Sequence, residues 1–228
     1  MGRLGVITGL AQEAECLDVF PAGERPLVRI AAARPQRAHE LSRELIQDGC
    51  QGLLSFGIAG GLKTDLNPGD LIIASSVVSP EGQAFETSKP WRERVLDNLG
   101  EEEAAVMATI AGSGTVVATP EDKSKLAEKW SAALVDMESH AIAAAAEDAG
   151  VPFMAIRAVA DPVGRSIPSW VLGHVSENGT PEYGAILARL AMHPWDLPKL
   201  VRLKSDSESA IRTLRRVAGR LGPAFGFS

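Results

Sequence analysis

Residues 133–161, with the sequence ALVDMESHAIAAAAEDAGVPFMAIRAVAD, contain the pattern from which the fold class of this chain follows. The segment begins with a short apolar run at 133–137, which predicts a strand, and continues into an alanine-rich helix at 138–149 that Gly150 ends. A second apolar run at 152–160 predicts another strand. Strand, helix and strand in this succession indicate an α/β domain whose sheet is largely buried.

The same alternation extends along the rest of the chain. Helical patterns occupy 37–48 and 121–130, and two further helices are expected at 182–193 and 195–218. The final residues, GPAFGFS, are expected to be frayed. Short apolar or β-branched runs bounded by Gly, Pro or Asp predict the remaining strands, at 3–8, 27–33, 52–56, 70–78 and 114–118.

The length of 228 residues is enough for one substantial core, so we expect a single domain over 1–228. Within it, 1–161 carries the motifs described below. Residues 162–182 are rich in glycine and proline and predict a long loop or lid. Residues 183–220 predict basic C-terminal helices.

The charge is distributed unevenly. The net charge of −6 argues against a protein whose task is binding nucleic-acid phosphates, because such domains are usually basic. Seven basic and two acidic residues between Lys199 and Arg220 make that end +5 and the remainder −11. The basic end predicts either an amphipathic helix lying on an anionic membrane surface or a terminal helix packed on its own domain with a solvated cationic face.

The cysteines and the N-terminus predict a cytoplasmic protein. Cys16 and Cys50 form no CxxC pair and no disulfide framework, which is typical of a reducing compartment. The start MGRLGVITGL does not resemble a signal peptide, and no apolar run is long enough to span a bilayer. The four histidines lack metal-binding spacing, so no metal is expected.

Two carboxylates at strand ends are candidates for proton transfer. Asp161 ends an apolar strand just before Pro162, where burial would raise its pKa and make it a proton donor near neutral pH. The alternative is an Asp-Pro turn. Glu13 follows the strand 3–8 and suits a general base, although it also suits the first turn of a helix.

A third carboxylate lies where strand 133–137 runs into a helix. Glu138 is suited to accept hydrogen bonds from two neighbouring sugar hydroxyls, and Met137 beside it would supply an apolar wall. An acidic residue that merely favours a helix start is the alternative for Glu138.

Glycines follow the predicted strand 52–56 in the segment 55–62, SFGIAGGL. Such a segment brings backbone N–H groups close to a ligand, and Gly57, Ile58 and Gly60 are the positions expected to do so. A tight turn is the alternative, and the spacing matches neither a dinucleotide nor a P-loop motif. All of these candidates follow strands, so one sheet would present them around one crevice.

The order of these motifs resembles the nucleoside phosphorylase and nucleosidase superfamily, and most of all the methylthioadenosine/S-adenosylhomocysteine nucleosidases. The resemblance implies an α/β three-layer sandwich with a mixed central sheet. The phrase VDMESHAIA, the segment 162–182 and the stretch HPWDLPKLVRL are more similar still to the hopanoid-associated phosphorylases. The motifs that carry the resemblance are GVI at 5–7 followed by Glu13, GIAGGL at 57–62 followed by PGD at 68–70, VDME at 135–138, and VPF with RAVAD within 151–161.

The resemblance implies cleavage of the N-glycosidic bond of an adenine nucleoside. Asp161 matches the acid that protonates or hydrogen-bonds N7 of the purine, and Glu138 matches the carboxylate that holds the ribose hydroxyls. Met137 lines the sugar, and Glu13 matches the base that activates water. The loop 118–123 falls where the family's backbone meets the purine, but its residues depart from the nucleosidase pattern. A homo-oligomer without a cofactor is also implied.

The acceptor of the sugar stays open between water and phosphate. Ile58 stands where many relatives have serine, and Ser55 where some phosphorylases bind phosphate with arginine. Phosphorolysis would need glycine-segment amides and a cation such as Arg34, Arg157 or Arg165. The phosphorylase branch implies adenosylhopane and hopanoid biosynthesis. The alternatives are a soluble methylthioadenosine-type nucleosidase and a non-catalytic nucleoside- or lipid-binding protein.

Overall fold

A computed structural model describes residues 2–168, 170, 176, 179–180 and 182–227. Within them, the strands are β1 (Leu4–Thr8), β2 (Leu27–Ile30), β3 (Gly52–Gly61), β4 (Leu71–Val78), β5 (Ala84–Glu86), β6 (Ala105–Gly112), β7 (Leu134–Asp136) and β8 (Phe153–Asp161). The α-helices are α1 (Ala11–Ala14), α2 (Pro35–Gln47), α3 (Lys89–Leu99), α4 (Pro120–Trp130), α5 (Ser139–Ala149), α6 (Tyr183–Met192) and α7 (Leu197–Leu221). Short 3-10 helices span Glu15–Val19 and Pro194–Asp196.

The strands form one mixed sheet in the order β2-β1-β3-β7-β6-β4-β5. Strand β8 pairs parallel with β3 and antiparallel with β4, so β3, β7, β6, β4 and β8 form a closed ring of strands. Helices α2 and α5 pack on one core cluster, and α3 and α7 pack on the other. The expected α/β fold with a mixed sheet between helices is therefore confirmed.

Strand β8 is the central strand that positions the site. Its residues 153–160 are all buried, because helices cover both faces of the sheet. Met154, Ile156 and Ala158 contribute to one core cluster, while Phe153 and Ala155 contribute to the other, as strand alternation requires. Asp161, the candidate acid, is the last residue of this strand and therefore lies at the edge of the closed ring.

Two of the local expectations are wrong. The predicted strand at 114–118 is outside the sheet, since the strand of this region is β6 and the chain after it leads without regular structure to α4. The glycine segment at 55–62 neither follows a strand that ends at 56 nor forms the alternative tight turn, because β3 continues to Gly61, pairing with β8 up to Gly60 and with β7 at Gly60 and Gly61. A register shift after Ala59 then sets Gly60 opposite Asp161, so the glycines form the strand end beside the candidate acid.

The C-terminal residues up to Phe227 are not frayed. Phe225 is completely buried, and its ring packs edge-on against Phe20 and Phe56 at centroid distances of 6.1 and 5.3 Å. The indole N–H of Trp91 donates to the carbonyl oxygen of Phe225 at 2.6 Å. The tail GPAFGFS contains two apolar aromatic residues, and burying them outweighs the entropy of a free chain end.

The predicted loop or lid at 162–182 lies largely outside the described residues. Of the part that is described, Ile167 donates its backbone N–H to the carbonyl of Ala118 at 2.9 Å, and the carbonyl of Gly179 accepts from Ala11 at 3.0 Å. These bonds attach described parts of the segment to the loop before α4 and to the start of α1.

We predict that Phe225→Ala destabilises the protein by about 3–5 kcal/mol, because it leaves a cavity among buried aromatic rings. The midpoint of urea unfolding, followed by far-ultraviolet circular dichroism, measures the change. Met107→Ala is the matched control, since Met107 is 56% exposed and its loss should change the unfolding free energy by less than about 0.5 kcal/mol. Equal midpoints for the two variants would contradict a structural role for the tail.

Candidate active site

One cavity of about 340 Å³ lies at the ends of β1, β3, β7 and β8. Glu13, Asp136, Glu138 and Asp161 supply its acidic lining, and most of the remaining lining side chains are apolar. Helices α6 and α7 border it through Ile186, Leu203 and Ser207. The structure thus brings the candidate carboxylates Glu13, Glu138 and Asp161 from three separate stretches of sequence to one cavity, as the strand-end positions predicted.

Glu13 is held by three backbone N–H groups. Its Oε2 accepts from Gly9 and Leu10 at 2.7 and 2.8 Å, and its Oε1 accepts from Ile58 at 2.8 Å. Burial raises the pKa of Glu13, while the charge of Arg157 and these three hydrogen bonds oppose that rise. A carboxylate accepts about four hydrogen bonds, and the described residues supply three of them, which leaves one acceptor position for a ligand or water.

Glycines provide the space that these carboxylates need. A Cβ at position 57 would lie 2.5 Å from Oε1 of Glu13, and a Cβ at position 9 would lie 2.5 Å from Oε1 of Glu138. Both distances are far below van der Waals contact, so only glycine at these positions leaves the carboxylates in place. Gly57 is therefore a neighbour of Glu13 and is not among the residues that line the cavity.

Glu138 is the N-cap residue of α5 and is almost completely buried. Burial and the nearby charge of Asp136 raise its pKa to about 8, and the guanidinium of Arg157, at 4.0 Å from its Oε2, opposes the rise. Met137, Ile58 and Gly60 line the same cavity. The carboxyl group of Glu138 thus changes its charge near neutral pH beside an apolar wall.

Arg157 lies beneath the cavity in a buried network. Its Nε donates to Oδ2 of Asp136 at 2.7 Å, and its Nη2 donates to the hydroxyl oxygens of Ser55 and Ser139 at 2.6 and 3.0 Å. Asp136 also accepts from the backbone N–H of Ser139 at 3.1 Å and from its hydroxyl group. An arginine inside an otherwise apolar strand is the sequence signal for such a network, because a buried guanidinium needs a buried acid.

Asp161 is paired with a lysine that sequence analysis did not single out. Lys123 on α4 is completely buried, and its Nζ lies 2.5 Å from Oδ2 of Asp161. Burial raises the pKa of Asp161, the positive charge of Lys123 lowers it, and Asp206 adds a smaller upward contribution. The sequence carries no signal for this contact, because Lys123 lies in a helix whose other lysines, Lys125 and Lys129, are exposed.

The cations considered for phosphate do not reach the cavity. Arg157 is occupied by the network beneath it, and Nε of Arg165 donates to Asp206 at 2.9 Å. Arg34 borders a separate hollow together with Arg37 and Gly114. Within the described parts of the chain, neither Lys nor Arg lines the cavity, and no group of His, Cys, Asp and Glu is placed to hold a metal ion.

A family model matches most of this chain. A model described as the phosphorylase superfamily matches residues 28–180, which is more than half of the chain. The chain belongs to the phosphorylase superfamily, which confirms the resemblance found in its motifs.

The chain is similar to individual nucleosidases in sequence and in structure. A 5′-methylthioadenosine/S-adenosylhomocysteine nucleosidase of Staphylococcus aureus is 28% identical over 127 residues, which are 48% of this chain and 56% of the relative. The match thus spans little more than half the length of that curated relative. The same nucleosidase from Neisseria meningitidis, solved with methylthio-immucillin-A, has a TM-score of 0.73 at 16% identity, covering 98% of this chain and 100% of the other.

A second solved structure is similar over nearly the whole chain. Futalosine hydrolase of Helicobacter pylori has a TM-score of 0.67 at 18% identity, covering 94% of this chain and 96% of the other. At such identities these structures show a shared fold.

We predict that Glu138→Gln is more stable than the wild type, and increasingly so between pH 5 and pH 8. The pKa of Glu138 is about 8 in the folded protein against an ordinary value of 4.5, so the native state retains this proton to higher pH than the unfolded chain. Protonated Glu138 therefore contributes to the free energy of unfolding fully below pH 4.5, and this contribution is lost as the pH rises through 8. Glutamine does not titrate, so the variant has no such pH dependence.

The stability gain at pH 8 should be at least about 1 kcal/mol, measured as the difference in unfolding free energy between wild type and variant at each pH. Glu128→Gln, at an exposed position on α4, is the control and should show no such trend. A difference that stays constant with pH would contradict the buried titration of Glu138.

Proposed function

We propose that this protein hydrolyses the N-glycosidic bond of an adenine nucleoside. The observation that carries the proposal is the single cavity in which Glu13, Glu138 and Asp161 lie around an apolar wall. These three groups supply the chemistry that such a reaction needs: a base for water, an acceptor for sugar hydroxyls and a proton donor for the purine. Membership of the phosphorylase superfamily supports the same class of reaction.

The proposed steps follow from the position of each group. Asp161 gives its proton to N7 as the C1′–N9 bond breaks, so the purine leaves as a neutral base instead of an anion. The sugar develops oxocarbenium character, which the neighbouring carboxylates stabilise. Glu13 accepts a proton from water as the water oxygen forms a bond to C1′. Glu138 holds the ribose hydroxyls throughout the reaction.

Electrostatics favours water over phosphate as the acceptor. Four acidic residues line the cavity, and among the described residues no lysine or arginine lines it. A phosphate dianion entering such a cavity would be repelled by each of these acids that is ionised, and would find no cation among the described lining residues to bind it. A neutral water molecule meets no such repulsion and finds the remaining acceptor position of Glu13.

The apolar part of the lining favours a nucleoside with an apolar 5′-substituent. Val116, Val117, Ile167, Ile186 and Leu203 all border the cavity. Adenosylhopane, acting in hopanoid biosynthesis, is the narrower substrate that we propose from the branch resemblance, and methylthioadenosine is the smaller alternative. The ratio of kcat/KM for a long-chain 5′-alkyl adenosine to that for methylthioadenosine separates them, since only a lipid-directed site should favour the longer group.

We predict adenine release from 5′-substituted adenosines at a rate that does not change when phosphate is added, with the free sugar as the second product. Asp161→Asn should lower kcat about 10²- to 10⁴-fold, because amide nitrogen cannot supply the proton. Asp148→Asn, at an exposed position near the end of α5, is the control and should retain full activity. Adenine and sugar are quantified by liquid chromatography.

Three results would overturn parts of this proposal. Formation of a sugar 1-phosphate would replace hydrolysis by phosphorolysis. Full activity of Asp161→Asn would remove Asp161 as the proton donor. Tight nucleoside binding without any turnover would make the protein a non-catalytic binder.

We further propose that the protein acts in the cytoplasm and contacts the inner face of the membrane. No helix in the described part of the chain is long and apolar enough to span a bilayer. The support for a surface contact is a group of apolar side chains near the junction of α6 and α7. These are Met192, Trp195, Leu197 and Val201, with exposed fractions of 61%, 69%, 50% and 59%.

The charges around this apolar patch are mixed but mainly positive. Exposed cations at the patch are Arg189, Lys199, Arg202 and Lys204, of which Lys199 pairs with Asp196 and Lys204 lies 3.8 Å from Glu208. Farther along α7, Arg216 and Arg220 are neutralised by Glu103 and Glu102, and the second half of the helix packs in the core. The second half of α7 thus fits a terminal helix packed on its own domain, and the membrane contact that we propose is confined to the first half and the junction with α6.

We predict that the full chain co-sediments with vesicles containing anionic phosphatidylglycerol more strongly than with neutral vesicles. Replacing Trp195 and Val201 by serine should weaken binding about tenfold or more, because it removes large apolar surface from the contact. Met107→Ser, which changes an exposed apolar residue of β6, is the control and should bind as the wild type does. Concentration-dependent self-association through the patch, without vesicle binding, would reassign it to a subunit contact.

The homo-oligomer implied by the resemblance stays a prediction. Small side chains on a helix can allow a second subunit to approach, but Ala141, Ala143, Ala145 and Ala146 of α5 are buried within the chain itself and give the oligomer no support.

A further inference from the structure

The ammonium group of Lys123 donates all of its hydrogen bonds to two adjacent residues, Asp161 and Pro162. Its Nζ donates to Oδ2 of Asp161 at 2.5 Å, to the backbone oxygen of Asp161 at 3.1 Å and to that of Pro162 at 3.1 Å. An ammonium group has three N–H donors, so all of them are used. Lys123 is completely buried, and removing such a cation from water is costly unless an anion compensates it.

The two oxygens of Asp161 differ in their hydrogen bonds. Oδ2 accepts from the ammonium of Lys123, whereas Oδ1 accepts no hydrogen bond from the described residues. Both oxygens lie near Gly60, 3.2 and 3.4 Å from where a Cβ at that position would be. Both Gly60 and Asp161 line the cavity, but Lys123 does not. The carboxyl group therefore presents one oxygen to a ligand while the other is anchored from behind.

We infer that Lys123 is a positioning residue for the cleavage step, which aims Oδ1 of Asp161 into the cavity and stabilises the carboxylate left when Asp161 gives up its proton. The inference rests on the proposed function. Lys123 itself neither touches the substrate nor loses a proton.

The proton and electron balance shows why a fixed cation helps. The electron pair of the C1′–N9 bond passes to the purine, and the proton on Oδ1 of Asp161 passes to N7. Asp161 thus becomes negative as the bond breaks, and the adjacent ammonium stabilises that charge more in the transition state than in the ground state. Glu13 then releases to solvent the proton that it took from water, and Asp161 takes up a proton from solvent, so both groups return to their starting states.

Other charged groups near Asp161 are accounted for. Asp206 on α7 adds negative potential at Asp161, but Nε of Arg165 contacts its Oδ2 at 2.9 Å. Lys123 on α4 is the cation in direct contact among the described residues. Removing its charge should therefore raise the pKa of Asp161 further above its ordinary value, because burial then acts without opposition.

The test is the pH profile of kcat for adenine release by the wild type, Lys123→Met and Lys123→Gln. Methionine keeps the length of the side chain, and glutamine also keeps donors for the carbonyls of Asp161 and Pro162, so one variant remains if the other fails to fold. Lys125→Met is the matched control, since Lys125 lies on the same helix, is exposed and pairs with Glu121 at 2.6 Å. Thermal melting verifies that each variant is folded.

We expect both Lys123 variants to lose about 10- to 100-fold in kcat with little change in KM, because a carboxylic acid without the cation is a weaker proton donor. The alkaline limb of kcat should move upward by about one to three pH units, since Asp161 keeps its proton to higher pH. The control should show neither change. A decrease in kcat together with an upward shift of the alkaline limb of its pH profile supports the inference.

A loss of activity that is even across the pH range, with an unmoved limb, would show that Lys123 serves only the fold and would overturn the inference. Full activity of either Lys123 variant would do the same. Absence of adenine release by the wild type is a separate result, because it overturns the proposed function before Lys123 is considered.

Discussion

The guanidinium of Arg157 and the carboxylate of Asp136 meet at 2.7 Å beneath the cavity, and both side chains are almost completely removed from solvent. Removing one partner of such a pair leaves a buried charge without compensation, which typically costs about 3–5 kcal/mol. Because Arg157 lies on β8 and Asp136 at the end of β7, the pair joins two strands of the closed ring. It also holds Ser139 at the start of α5, next to Glu138.

The positive charge of Arg157 also acts on the acids above it. It opposes the pKa rise that burial causes at both Glu13 and Glu138. Asp161 has a different cation, Lys123, which lies outside the cavity lining. The acids of one small cavity are thus biased by two separate buried cations, each of which opposes the pKa rise that burial causes.

Much of the candidate site was predictable because it follows strand ends. Apolar runs at 3–8 and 152–160 indicated strands, and residues directly after parallel strands converge at one sheet edge. Glu13 and Asp161 were found in this way, and Glu138 by its place between a strand and a helix. The glycine segment at 55–62 was recognised as part of the site but assigned the wrong conformation, since glycine is compatible with both a turn and a buried strand.

Local spacing and motif order were enough to predict the alternation of strands and helices, the strand-end carboxylates and the family. The pairing of β8 with both β3 and β4, the bond from Lys123 to Asp161 and the burial of the final aromatic residues became visible in the three-dimensional arrangement. One cause is common to all three. Contacts between residues far apart in the chain depend on how buried surfaces and buried charges find partners in space, and local sequence patterns do not record that choice.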